Sequence, residues 1–152
     1  MLNIFYMTGE VHEMGFREKM AWVMVVALSA FGAIYFIPTL SAFPVVGFVS
    51  PLSASVGTLG VIALIVVASL GAIIAALSNV REANSPLDER EAYIVARSET
   101  YGGAVLGFGA VTLVILAHFT AELGWIVPSL VALLTVSHLV THCVQIAMFR
   151  TL

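Results

Sequence analysis

Charge and cysteine are what this chain has least of. Only 10% of its 152 residues are Asp, Glu, Lys or Arg, where a soluble domain carries about 25%. Hydrophobic residues make up 61% and the mean hydropathy is +1.06, an excess that one small core cannot hide. A single cysteine, Cys143, excludes an intrachain disulfide and any zinc site built on two or four cysteines of one chain. Six Lys and Arg against nine Asp and Glu give a formal charge of −3 and no basic footprint, so nucleic acid is not an expected partner. The sequence also lacks a Gly-rich phosphate loop, a Ser-His-Asp set, paired carboxylates inside an apolar run, and broken helices in matching halves. Phosphoryl transfer, hydrolysis and proton-coupled transport therefore lack their usual parts, and no enzyme is expected.

What the chain has instead is long apolar runs. A bilayer core about 30 Å thick needs roughly 20 apolar residues at 1.5 Å rise, and residues 20–38, 56–77, 101–121 and 125–148 meet that need without an acidic or basic residue in midspan. The expected fold is all-α, a single integral membrane domain over 1–152 built as a four-transmembrane-helix bundle. The first run is longer than a signal-peptide core and follows Glu10, Glu13 and Glu18, so it reads as a retained span. Arg17 and Lys19 precede span one, Arg81, Arg90 and Arg97 lie between spans two and three, and Arg150 follows span four. The other two connections carry no Lys or Arg, which predicts that both termini and the 78–100 linker are cytoplasmic. Trp22 and Tyr101 at inner ends, with Tyr35, Phe36 and Trp125 at outer ends, fit aromatic rings settled at headgroup level.

Between the spans, residues 1–18 read as a cytoplasmic segment that lies on the membrane or docks on a partner. The uncharged outer loop 39–55, with Phe43, Phe48, Pro44 and Pro51, reads as a contact region. In the linker, Ser85, Pro86 and Asp88 suggest a Ser N-cap, a proline in the first helical position and an acid at the third, opening a helical stalk that continues into span three. Along it Leu87, Ile94 and Tyr101 recur every seven residues and should share a face toward the start of span one.

Three stretches resemble a known family. The opening Phe16-Arg17-Glu18-Lys19-Met20-Ala21-Trp22, the linker Asp88-Glu89-Arg90-Glu91 with Ile94, Arg97 and Tyr101, and the ending Gln145-Ile146-Ala147-Met148-Phe149-Arg150 look like those of small uncharacterised bacterial membrane proteins, common in proteobacteria, with four helices. The resemblance covers nearly all of the chain after Gly15. It implies a multi-pass inner-membrane protein and transfers no catalytic residue. Where relatives often have an acid in the last span this chain has His138, and their doubly basic ending is reduced to Phe149-Arg150-Thr151.

The residues closest to chemistry lie in span four. Thr135, His138, His142 and Gln145 form a polar stripe that should face protein or a cavity, because lipid cannot satisfy it. The His138 and His142 pair has metal-ligand spacing but no third ligand beside it, and no metal site is expected. Haem or a (bacterio)chlorophyll-type pigment on His138 or His142 remains the alternative. A bis-histidine site with His118 does not fit, since His138 and His142 lie 14 and 18 residues beyond Gly124, roughly 20–27 Å in depth. Gly103 with Gly107, and Ala68, Ala72 and Ala76, form small-residue seams expected to close the chain's own bundle. The leading expectation is a non-enzymatic accessory or assembly subunit of a respiratory or photosynthetic membrane complex, whose partners are lipid and other integral subunits. The alternatives are a haem- or pigment-binding redox protein and a small transport or immunity-type protein.

Overall fold

The computed structural model describes residues 14–46, 51–78, 80–119 and 125–152, and all of their regular structure is helical. Helix α1 runs Phe16–Val46, α2 Pro51–Ser78, the short α3 Val80–Ala83, α4 Glu89–Phe119 and α5 Ile126–Thr151. Four stretches within them, Phe16–Leu40, Gly57–Ser78, Glu89–Phe119 and Ile126–Thr151, are long and apolar enough to cross a membrane. Most of the 1–18 segment and the turn between α4 and α5 lie outside the described residues.

Helix is what such sequences must form, because only a helix satisfies every backbone group within one apolar segment. The hydroxyls along the spans follow the same rule. Thr39, Thr112, Thr135 and Thr141 each donate to the carbonyl four residues back, at 2.6, 2.9, 2.7 and 3.1 Å.

The linear outer loop expected at 39–55 is largely helical. Helix α1 continues to Val46 and α2 begins at Pro51, where a proline needs no amide partner. At the other connection the helix starts later than the Ser85-Pro86 pattern suggests. Asp88 is the cap: its Oδ1 accepts from the Glu91 amide at 2.6 Å, and Glu91 Oε2 accepts from the Asp88 amide at 3.3 Å. This reciprocal box satisfies two amides that an α-helix leaves open at its start, which a Ser85 cap would not reach. From there α4 is continuous for 31 residues, about 46 Å, so its first turns extend beyond what a bilayer core requires.

The helices pack in the order α2, α1, α5, α4. Helix α1 lies against α2 and α5, α5 against α4, and α3 against α1 and α2, whereas among the described residues α2 and α4 do not meet. The row is therefore open, with α2 and α4 at its two sides. Its core is Ala21, Ala27, Leu28, Phe31 and Tyr35 of α1 with Ala75, Ile94, Ile146 and Phe149. Tyr35 is buried, stacked on Phe31 at 5.9 Å and edge-on to Phe36 at 4.9 Å.

Small residues set the close approaches, in a different register from the one expected on α4. A β-carbon on Gly102 would collide with Thr141 and one on Gly109 with Leu133, so these two glycines face α5. Gly103 and Gly107 have nothing within 4 Å of that position and face outward. The reason is helical phase, since one residue is a rotation of 100°, and Ile94, Ser98 and Gly102 form the buried row. On α2 the matching contacts are Gly57 on Tyr35, Gly60 on Phe31 and Gly71 on Val23, while Ala68, Ala72 and Ala76 are half-buried beside them.

Candidate functional site

The charged ends of α1, α4 and α5 meet at one end of the row, beside the uncharged last turn of α2. Arg17 donates through Nε to Glu91 Oε2 at 2.9 Å and through a terminal nitrogen to the Ser85 carbonyl at 3.3 Å. Glu91 thus caps α4 and pairs with α1 through one carboxylate. Arg90 donates to the Phe149 carbonyl at 3.1 Å, where the last turn of α5 leaves acceptors open. Arg150 donates to Glu18 Oε1 at 3.1 Å, and its guanidinium lies 5.4 Å from the centre of the Trp22 ring. Lys19 reaches Ser78 at the end of α2, with Nζ 3.3 Å from Oγ. Three of the four linker-motif residues therefore hold the helix ends in place, Asp88 as the cap and Arg90 and Glu91 by binding neighbouring helices. Glu89 is exposed in the first turn, and Arg97 packs over the Tyr101 ring at 5.2 Å.

Of the heptad face expected on the stalk, Ile94 alone is buried, at 0% exposure, while Leu87 and Tyr101 are exposed. Leu87 precedes the helix, so helical spacing does not govern where it points.

The span-four stripe divides. Thr135 is buried, His142 and Gln145 are half-buried, and His138 is exposed on the surface of α5. His138 therefore does not face the bundle interior of the chain with Thr135, whose hydroxyl donates within its own helix. His142 Nδ1 lies 3.2 Å from Gln145 Oε1. With that oxygen accepting, Nδ1 holds the proton and Nε2 keeps its lone pair. The ring lines a groove of about 290 Å³ with Phe16, Arg17, Met20, Met24 and Val95, so one imidazole meets an apolar wall and one guanidinium. Among the described residues, no three His, Cys, Asp or Glu side chains are grouped to hold a metal ion.

Two further depressions open at or below the charged end. One of about 600 Å³ is lined by Glu18, Arg90, Phe149, Arg150, Thr151 and Leu152. The other, about 460 Å³ and almost wholly apolar, runs between α1 and α2 beneath Trp22.

Sequence reasoning missed the contact that ties α5 to α4 most directly. Ser137 is buried and donates to the Gly102 carbonyl at 2.9 Å. The available signal was a serine one residue before His138, overshadowed by the histidines beside it. Also missed was the buried Glu18, whose pairing with Arg150 joins residues 132 positions apart.

Comparison with protein-family models, with curated proteins and with solved structures finds no match to this chain.

Proposed function

We propose that the chain is a non-enzymatic multi-pass protein of the bacterial inner membrane, with both termini cytoplasmic, belonging with the small four-helix proteins its motifs resemble. It serves as an accessory or assembly subunit of a larger membrane complex, respiratory or photosynthetic, and works by helix–helix contact. The observation that carries this reading is the second glycine face of α4. Gly102 and Gly109 are consumed by α5, while Gly103 and Gly107, one turn apart on the other side, leave the backbone bare. Close backbone approach through such a step is how helices associate where lipid removes the hydrophobic driving force. The open row supplies a second support, because α4 has a neighbour on one side only.

The test is extraction in mild detergent from native membranes, followed by size-exclusion chromatography with absorbance recorded from the ultraviolet to the near-infrared. Elution in a large assembly that dissociates when Gly103 and Gly107 are both changed to Leu is the expected outcome. A small species whose elution ignores both substitutions overturns the reading.

One observation favours a second reading, a redox protein that binds haem or pigment. His142 sits in a groove with its Nδ1 side occupied by Gln145, the arrangement that orients an imidazole toward a ligand through Nε2. In that case a small coloured species loses its absorption band on His142→Leu and keeps it on His138→Leu.

A further inference from the structure

The apolar groove between α1 and α2 ends at two cations. On α1, Lys19, Trp22, Val23 and Val26 follow one another at helical spacing, and on α2 Val67, Leu70, Gly71, Ile74 and Ser78 do the same. The groove walls are the apolar members of both sets, from Val67 to Ile74 about 10 Å long at 1.5 Å per residue. Its floor is low because Gly71 carries no side chain where it meets Val23. At its charged-end mouth Lys19 Nζ stands over α2, 3.3 Å from Ser78 Oγ, and Arg150 lies over the ring of Trp22.

Among the described side chains the charge at that mouth is unbalanced. Glu18, beside Lys19 in the sequence, is committed to Arg150, with a side chain 4% exposed against 55% for the arginine. Arg150 uses Nε for that pair, and its side chain is 55% exposed. Lys19 has a neutral hydroxyl as its hydrogen-bond partner and no ion pair among the described residues. An ammonium one turn beyond an apolar slot, and a guanidinium against the indole that lines it, match a phosphate above an acyl chain.

We propose that this groove is a specific site for an anionic diacyl phospholipid, with an acyl chain between α1 and α2 and the headgroup phosphate held by Lys19 and Arg150. The site rests on the membrane reading above but not on the accessory-subunit role. A zwitterionic lipid with the same chains fills the slot but adds a cation next to Lys19, so it binds less well. The lipid bridges α1, α2 and α5, joining α2, the helix with one long neighbour, to the rest of the row.

The experiment uses the full chain, delipidated in detergent, with thermal midpoints read on adding phosphatidylglycerol, phosphatidylcholine of the same chains, or glycerol 3-phosphate. Phosphatidylglycerol is expected to raise the midpoint by about 5 °C at concentrations well above its dissociation constant. Phosphatidylcholine and glycerol 3-phosphate should each raise it by less than half as much. Lys19→Gln should abolish the difference between the two lipids, and Val26→Trp, which fills the slot, should abolish the response to both. Native mass spectrometry of the unaltered protein gives an independent readout, a retained phosphatidylglycerol preferred over phosphatidylcholine. Equal shifts with both lipids, a preference that survives Lys19→Gln, or a full response to glycerol 3-phosphate alone overturns the site. A chain that partitions into the soluble fraction overturns the site and the membrane reading together.

Discussion

Glu91 shows how much one side chain can be asked to do at a helix start. The same oxygen accepts from the Asp88 amide and from Arg17, so its removal opens the α4 cap and frees α1 at once. Glu91→Ala should lower stability by about 1–2 kcal/mol, in the range of a lost cap with a part-buried ion pair. Glu91→Gln should lose less, because an amide oxygen still accepts from both donors. Thermal midpoints in one detergent check the order, and equal losses would assign the whole effect to charge. Glu18 differs in kind, since it is buried and Arg150 is the cation that pairs with it. Arg150→Ala strands a carboxylate and should destabilise by about 2 kcal/mol, less than a fully buried pair because the arginine is half exposed. The double change Glu18→Gln with Arg150→Ala should recover most of that loss. A double variant no better than Arg150→Ala alone would show that the cation–π contact with Trp22, not the ion pair, carries the effect.

At the level of helices, two adjacent glycines on α4 give opposite predictions. A methyl at Gly102 meets the Thr141 side chain and lies 3.0 Å from the Ser137 carbonyl, so Gly102→Ala must push α4 from α5 and strain the Ser137 hydrogen bond. A loss of about 1–3 kcal/mol follows from such overpacking. Gly103→Ala meets open space and should be neutral or raise stability by up to about 1 kcal/mol through helix propensity. Unfolding of both variants in detergent distinguishes them, and similar effects would contradict the phase of α4 against α5. The pair also marks where sequence reading stops. Four spans were legible because apolar length is a local property of the chain, and the gathering of charge at one end was legible because the loops alternate. Which glycine faces a neighbour was not, since Gly102, Gly103, Gly107 and Gly109 offer two registers a single residue apart. The Asp88 cap was obscured by a Ser-Pro pair three residues earlier that is also a local start signal, although Asp88 followed three residues later by Glu91 has the spacing of a capping box. The side to which His138 points was not legible either, because the polarity of the stripe asks for protein or a cavity and does not say on which side of α5 that lies.

For the molecule as a whole, the order α2, α1, α5, α4 is a stronger statement than four helices, and cross-linking can test it. In a closed four-helix bundle each helix touches two long neighbours, so α2 and α4 would complete the ring. Here they are the open sides. With Cys143 changed to Ser, cysteine pairs at Val23 with Gly71 and at Gly102 with Thr141 should oxidise readily within one chain. A β-carbon at Gly71 would lie 3.3 Å from that of Val23, and one at Gly102 would lie 3.2 Å from that of Thr141, close to the separation that a disulfide spans. Pairs that join the exposed faces of α2 and α4, such as Ile65 with Phe108, should not form within one chain. Their distance follows from the intervening α1 and α5, since packed helix axes are about 8–10 Å apart and a disulfide demands Cα atoms within about 7 Å. An Ile65–Phe108 bond in a monomer band would mean that the row curls shut in the membrane, which would remove the one-sided exposure of α4 on which the proposed partner binding through Gly103 and Gly107 rests. The same bond in a dimer band would identify the partner as a second copy, with α2 of one chain seated on α4 of the next.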